Sequence, residues 1–205
     1  MIYFIVTTSL YINSLIRKNQ YIRGITTLKK SIKDSNIKNY KIIIIENNGL
    51  EKSFLDEFGE DVFYTNNNFL KTNNKGYKEL QDVRDTIDKF GIKDNDFIVK
   101  MTGRYFLKEK SEFIDVLKNI HNTKYDCIIK YGSYINPVNY KTNDCITGLI
   151  GMSCYYVKKI VKPTPTECVE WKWAICTQSI PYPNIYLVNQ LGINICPSGN
   201  TYFEV

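Results

Sequence analysis

The chain has 205 residues, 43% hydrophobic and 14% aromatic, enough for one compact domain with a sizeable core and cramped for two. No apolar run approaches the roughly 20 residues that a membrane-crossing helix requires. The net charge of +6 is concentrated early: Arg17, Lys18, Arg23, Lys29, Lys30, Lys33, Lys38 and Lys41 face only Asp34 in the first 41 residues. Such a basic face suits phosphorylated ligands or an anionic membrane or polymer surface.

Six cysteines, Cys127, Cys145, Cys154, Cys168, Cys176 and Cys196, occur without paired CxxC spacing and beside a single histidine, His121. That pattern argues against zinc and against a disulfide scaffold. The cysteines are expected to pack as reduced, buried thiols in an intracellular, cytoplasmic protein. His121 has no partners for a catalytic triad and is expected at the surface.

Met1 to Val6 is apolar but too short for a secretory core, so Ile2 to Val6 is expected to be a first strand. Thr7, Thr8 and Ser9 follow it, and their hydroxyls suit a nucleobase or ribose. Ile22, Ile25, Leu28 and Ile32 recur at helical spacing, which predicts an amphipathic helix packed on a sheet. Lys29, Lys30 and Lys33 are its wet side, whereas Arg23, early in the helix, is expected to point back toward a ligand. Lys41 to Ile45 is the strongest strand signal in the chain. It ends in Glu46, Asn47, Asn48 and Gly49, a carboxylate and two amides able to bond a base and a ribose, or equally an Asn-Gly turn.

Asp61 to Tyr64 reads as a third strand. Lys75 and Gly76, after Asn74, open a helix with apolar Tyr77, Leu80, Val83 and Ile87, so helix amides and a lysine face the ligand edge; Arg84 lies on this helix. The helix stops near Phe90 and Gly91. Asp94, Asn95 and Asp96 then form a D-x-D that precedes a strand, at the wrong end of a sheet for a metal and diphosphate, and reads as a solvated turn. Phe97, Ile98 and Val99 suit a strand covered on both faces. Lys100, Thr102, Gly103 and Arg104 are expected to emerge beyond its carboxyl end, where open α/β sheets bind ligands, and two cations, a hydroxyl and a glycine suit a phosphate.

A helix over Ser111 to Asn119 leads to a strand at Cys127 to Tyr131 and a tyrosine-rich connection from Tyr134 to Tyr140, whose rings could stack on sugars. Asp144 to Met152 reads as a further strand with close backbone approach at Gly148, and Asp144 at its start is a candidate ligand for sugar hydroxyls. Thr164 as N-cap, Pro165 and Glu167 predict a helix start with a capping box. Glu170, between Val169 and Trp171, has surroundings able to raise a carboxylate toward the pKa of a useful base. Ile185 to Val188 and Ile193 to Pro197 supply late strands, and Pro197 to Asn200 a closing loop.

The Thr-Thr-Ser strand exit, Glu46-Asn47-Asn48-Gly49, Asn74-Lys75-Gly76 and Lys100-Met101-Thr102-Gly103-Arg104-Tyr105 together resemble a small glycosyltransferase of GT-A type. More narrowly they resemble sugar transferases of large DNA viruses of algae and amoebae and of bacterial surface-polysaccharide synthesis. The likeness covers residues 1 to 110. It implies an α/β, Rossmann-like GT-A domain with a mixed, mostly parallel sheet flanked by helices, residues 1 to 110 holding the donor and 111 to 205 the acceptor.

It further implies transfer from a nucleotide-diphosphate sugar, UDP-sugar favoured, to a hydroxyl of a glycan or glycoprotein, with inversion. An inverting transfer needs one general base, for which Glu170 is the candidate from its own surroundings, with Asp144 and Glu167 behind it; all three lie outside the matched residues. Where most such enzymes carry an acidic D-x-D after the fourth strand, this chain has Lys100 to Arg104. A metal-independent mechanism is then open, with Lys100 and Arg104 neutralising the leaving diphosphate. Manganese or magnesium held by other carboxylates, such as Glu46 or Asp144, is open as well. The competing classes are a nucleotidyltransferase, disfavoured by Thr7-Thr8-Ser9-Leu10 where a glycine-rich basic loop belongs, and a noncatalytic nucleic-acid or glycan-binding module, disfavoured by the lack of an aromatic and basic sheet motif.

Overall fold

The computed structural model describes residues 1–10, 14–196 and 201–205; the expected loop at Pro197 to Asn200 lies outside the described residues. Seven strands form the main sheet: β1 (Ile2–Thr8), β2 (Tyr40–Glu46), β3 (Asp61–Tyr64), β4 (Phe97–Thr102), β6 (Cys127–Ile129), β9 (Leu149–Ser153) and β10 (Ile185–Leu187). Their spatial order is β10-β6-β9-β4-β1-β2-β3. Only β9 runs antiparallel to its neighbours β4 and β6; the other pairings are parallel. The short strands β5 (Phe106–Leu107), β11 (Ile193–Ile195) and β12 (Phe203–Glu204) make a separate antiparallel ribbon, and β7 (Tyr131–Gly132) pairs with β8 (Pro137–Val138) as a hairpin.

Helices cover both faces, which is why the central strands are apolar without alternation. On one face lie α1 (Leu15–Asp34) and α3 (Glu112–Leu117), packed on Phe4, Val6, Ile42, Ile44, Phe97, Val99 and Met101. On the other lie α2 (Lys75–Lys89), α4 (Cys154–Val157) and α5 (Val169–Cys176), packed on Ile5, Ile43, Ile45 and Ile98. Each of the four isoleucines at 42 to 45 is buried, a contribution of about 1.5–3 kcal/mol apiece.

The seam of α1 is Tyr21, Ile25, Leu28 and Ile32, with Gly24 against the sheet, while Ile22 is exposed. The i, i+4, i+7 register therefore starts one residue earlier than expected. A Cβ on Gly24 would lie 2.0 Å from the Gly103 carbonyl oxygen and 2.5 Å from that of Tyr105. Only glycine lets α1 press this closely on the turn after β4, and that turn carries Arg104.

Two boundaries depart from expectation in ways that matter for the site. First, β4 does not end at Val99 but continues to Thr102, with Lys100 opposite Ile5 on β1 and Ile150 on β9. Strand alternation then sends Lys100 into the layer beneath α2. Second, no helix starts at Pro165. Glu167 Oε2 does accept the Thr164 amide at 2.8 Å, the reach-back half of a capping box, but the chain turns there and α5 begins at Val169 with Cys168 at its N-cap.

Candidate functional site

A cavity of about 650 Å³ opens at the carboxyl edge of β1 and β4. Its walls come from the ends of those strands, the first turns of α1 and α2, Tyr134, Thr147 and the 165 to 170 segment entering α5. The two helix starts converge because Gly76 has no side chain: a Cβ there would meet Val169 Cβ at 2.6 Å. Asn74 fastens the junction. Its Oδ1 accepts the Tyr77 amide at 3.0 Å as the N-cap of α2, and its Nδ2 donates to the carbonyls of Thr164 at 2.7 Å and Glu167 at 2.8 Å.

Under the floor sits an ion pair that the sequence did not reveal. Lys100, buried, places its ammonium 2.8 Å from Glu79 Oε1 and donates to Thr102 Oγ1 at 3.0 Å and the Thr147 carbonyl at 2.8 Å. Thr7 Oγ1 donates to the same Glu79 oxygen at 2.6 Å. Burial alone would raise the Glu79 carboxyl, but the Lys100 charge and the hydrogen bonds from Lys100 and Thr7 outweigh it and hold the group below the ordinary glutamate value. The expectation that Lys100 meets a diphosphate is thereby corrected: it is absent from the cavity wall, and its three donors are occupied.

Of the other expected site residues, Thr7, Thr8, Ser9, Asn47, Lys75, Gly76, Thr102, Arg104 and Glu170 line the cavity. Several hydroxyls there already serve the framework: Thr8 Oγ1 donates to the Ile45 carbonyl and Glu46, and the Ser9 backbone bonds the Tyr21 phenol. Asn47 donates to the buried Asp82, which also accepts from Thr65 and Asn67. Burial still pushes Asp82 up to about 6 against those three donors. This network ties the 65 to 68 turn to the cavity wall.

Six further expectations are corrected. Glu46 is fully buried and organises the loops: it accepts Thr8 Oγ1 at 2.7 Å, the Leu10 amide at 3.0 Å and the Asn48 amide at 3.1 Å. Asn48 clamps Ser9 and Leu10 rather than facing the cavity. Arg23 is exposed and stacks 3.3 Å over the centre of the Phe106 ring, away from the site. Arg84 donates to the Ile160 carbonyl. Gly103 is buried, its amide bonded to the Thr7 carbonyl at 2.9 Å, so its role is close strand contact. Asp144 folds back onto the Cys145 amide at 2.9 Å, off the cavity wall.

Tyr134, from the tyrosine-rich connection expected to meet sugars, lines the cavity, and the cavity residues that sequence reasoning passed over include Arg17, Lys78, Glu79 and Cys168. Lys78 and Glu79 had a readable signal, since positions three and four beyond Lys75 share its helix face. Arg17 belongs to the run read only as bulk basic charge. Cys168 is exposed, against the expectation of uniformly buried thiols, whereas Cys127, Cys145, Cys154 and Cys196 are buried. The D-x-D lies in the turn before β4, as expected, but only its first acid is solvated: exposed Asp94 pairs with Lys158 at 2.6 Å, whereas Asp96, largely covered, accepts the Met1 ammonium at 2.9 Å and the Lys93 amide at 2.8 Å.

The cavity wall carries charges of both signs. Arg17, Lys75, Lys78 and Arg104 put cations along the side formed by α1, α2 and the β4 turn, and Arg104 is braced by donating to the Cys196 carbonyl. Neither α1 nor α2 has an acidic residue in its first turn. Cations there oppose the helix dipole, a cost that an anionic ligand would offset. Also on the wall, Glu170 in the first turn of α5 accepts from Thr147 Oγ1 at 3.3 Å. Burial lifts its carboxyl above the ordinary value, with the negative charge of Glu79 adding to the rise. Beside it, Tyr105 is pushed up to about 12 by burial, and the Tyr134 phenol well above its usual value for the same reason.

These residues do not compose a divalent-cation site at the β4 exit. The carboxylate nearest that exit, Glu79, is already neutralised by Lys100, and hard cations take several oxygen ligands. Among the described residues no cluster of three or more His, Cys, Asp or Glu side chains gathers. No helix of the described residues is long and apolar enough to cross a membrane.

The fold and site define an α/β protein with an anion-suited cavity at a sheet's carboxyl edge, the position expected for open α/β folds. Comparison with solved structures gives the fold its type, GT-A and Rossmann-like. The chain is similar to a mannosyltransferase from Pyrobaculum calidifontis in complex with GDP-Man and Mn2+, with TM-score 0.59, 5% identity, and 91% of this chain covering 54% of that one. It is also similar to a putative glucose-1-phosphate thymidylyltransferase from Bacillus anthracis in complex with a sucrose, with TM-score 0.54, 13% identity, and coverage of 91% and 86%. A glycosyltransferase involved in glycosylation of the major capsid of PBCV-1 aligns over 92% of this chain and 82% of its own, with 10% identity and TM-score 0.46. No family model and no curated protein matches the chain.

Proposed function

We propose that the chain is a glycosyltransferase, moving a sugar from a nucleotide-diphosphate sugar, UDP-sugar favoured, to a hydroxyl of a glycan or glycoprotein. The observation that carries this reading is one cavity lined both by four cations, Arg17, Lys75, Lys78 and Arg104, and by a half-buried carboxylate, Glu170, that burial makes more basic than an ordinary glutamate. Arg17, Lys75, Lys78 and Arg104 bind the diphosphate, and the amides opening α2 add to them. Thr7, Thr8, Ser9 and Asn47 line the nucleoside end. Residues 1 to 110 thus form the donor half and 111 to 205 the acceptor half of one domain.

In an inverting transfer, Glu170 takes the proton of the acceptor hydroxyl while that oxygen bonds the anomeric carbon. The bond to the diphosphate breaks, and the leaving oxygen keeps the electron pair beside the cations, whose preorganised field is the main catalytic contribution. Lys100 acts at one remove, by fixing Glu79 and Thr102. Asp144 has no part, since it lies off the cavity.

A thermal-shift panel of UDP-, GDP- and CMP-sugars, each with and without manganese, tests the donor class, because a ligand of the folded state raises apparent stability. The manganese arms matter because the Pyrobaculum neighbour is a Mn2+ complex. A shift with a UDP-sugar is expected, and no shift with any donor would sink the proposal. Glu170→Gln should keep that shift and lose transfer by about 10²- to 10⁴-fold, the usual range for a general base; undiminished turnover would remove Glu170 from the role. The thymidylyltransferase neighbour keeps a nucleotidyltransferase in view. Pyrophosphate release from a nucleoside triphosphate and a sugar 1-phosphate, without glycosyl transfer, would favour it.

A further inference from the structure

Outside the cavity, the most unusual surface lies along part of its rim. Three segments border it: the start of α1, the turn at 67 to 71, and the start of α2, which contribute Arg17, Asn68, Asn73, Lys75 and Lys78 to the cavity wall. Among the residues of these segments outside the cavity wall, four are large, apolar and exposed: Leu15 at 69%, Ile16 at 58%, Phe69 at 69% and Leu70 at 37%. Exposed apolar residues scattered singly are ordinary; two adjacent pairs on segments that border one cavity mark an interaction surface.

The charge on the same segments is of one sign. Residues 14–18, 67–71 and 73–78 hold Arg17, Lys18, Lys71, Lys75 and Lys78 and no Asp or Glu. Lys18 and Lys71 are exposed and do not line the cavity. The second and third segments are joined directly, Lys78 donating to the Asn68 carbonyl, and Asn68 donates to Asn48, which donates to the Leu10 carbonyl after β1. Phe69 is held outward with its ring edge over Gly49, where a Cβ would meet Phe69 Cε2 at 3.2 Å. Aliphatic and aromatic side chains set among lysines match a lipid headgroup layer, where apolar side chains enter the acyl boundary and cations meet anionic headgroups.

We propose that this rim docks the protein, peripherally and reversibly, on an anionic lipid bilayer. The partner is a membrane surface rather than an acidic protein, because each exposed apolar pair, Leu15 with Ile16 and Phe69 with Leu70, carries its own exposed lysine, Lys18 or Lys71, within two residues, the mixture that the headgroup and acyl boundary accepts. The docking does not depend on the transferase reading.

The test is sedimentation of the full chain with vesicles of phosphatidylcholine alone or with about 30% phosphatidylserine, at 0.1 M and 0.5 M salt. Binding is expected to the anionic vesicles and to weaken at high salt. Lys18→Glu with Lys71→Glu should weaken it at least about 25-fold, at about fivefold per lysine. Ile16→Ser with Phe69→Ser should weaken it about tenfold or more. Neither pair touches the cavity, so the nucleotide-sugar thermal shift should persist and reports separately on the active-site reading. An independent readout is Phe69→Trp, whose emission should shift blue on anionic vesicles alone. No binding to anionic vesicles, equal binding to neutral ones, or binding unaffected by the apolar pair would overturn the proposal; the last would leave only diffuse adsorption of a basic protein.

Discussion

Replacing Lys100 with methionine should destabilise the protein by about 3 kcal/mol, and the geometry says why. The ammonium is within 3.0 Å of all three of its acceptors, and its side chain is 2% exposed against 26% for Glu79. A unit pair at that separation attracts by about 6 kcal/mol at an effective dielectric of 20, and desolvation of both ions takes back much of it. Breaking a buried pair costs about 3–5 kcal/mol; the partial exposure of Glu79 puts Lys100→Met near the lower end. Glu79→Leu should cost about 4 kcal/mol, because it strands the more deeply buried partner. The double variant should lose only about 1–2 kcal/mol, mostly the hydrogen bonds of Thr7 and Thr102, so the two changes are strongly coupled.

Urea unfolding followed by the fluorescence of Trp171 and Trp173 measures all four proteins. The pH dependence adds a sign. Glu79 is depressed in the folded protein, so its contribution is present above the unfolded pKa and is lost as pH falls through the folded one. Without Lys100 the Glu79 carboxyl rises, and the deficit of Lys100→Met should shrink toward pH 4. Single variants costing under about 1 kcal/mol, or a double variant as poor as their sum, would refute a buried, structural Lys100 and return it to the ligand.

Asn74→Ala removes an N-cap and two cross-links, so it should cost about 1–2 kcal/mol by urea unfolding and weaken donor and acceptor use together in steady-state kinetics. Gly24→Ala forces a methyl into the Gly103 carbonyl and should cost about 3 kcal/mol, the upper range for overpacking, with a lowered Tm and weaker donor binding as Arg104 shifts. Asp82 is raised to about 6 from 3.8, so its contribution is greatest below the unfolded value and is lost as pH rises through the folded one. The stability of the wild type relative to Asp82→Asn should therefore fall by about 2 kcal/mol between pH 4 and pH 7; a flat difference would mean that Asp82 titrates normally.

The parallel strands and their helices were legible because their signals are local. Runs such as Ile42 to Ile45, a stop at Gly91 and the Asn74-Lys75-Gly76 helix start each follow from the residues' own conformational and solvation preferences. Late elements were read less well. Asp144 to Met152 seemed one strand, but its first part only bridges Tyr131 at Cys145, and β9 starts at Leu149. Thr164 to Glu167 has the capping chemistry of a helix start, yet Asn74 claims the carbonyls of Thr164 and Glu167. A contact across 90 residues competes there with a local preference.

The same limit explains Lys100. A lysine after an apolar run reads as a strand end, because burying an ammonium alone is prohibitive. What makes its burial tolerable is Glu79, 21 positions away on α2, together with the Thr147 carbonyl ahead of β9. No window of sequence contains all three. The half-buried place of Glu170 was more legible because its cause, a carboxylate among tryptophan and valine at a helix start, lies in adjacent residues. The β4 exit is therefore neither the acidic metal site of most GT-A enzymes nor a bare cationic substitute. Its Lys100 is internally paired, so under the proposed glycosyltransferase reading the diphosphate falls to Arg104 with the helix-borne Arg17, Lys75 and Lys78, and charge-removing changes at those four should weaken donor binding where Lys100→Met mainly weakens the fold.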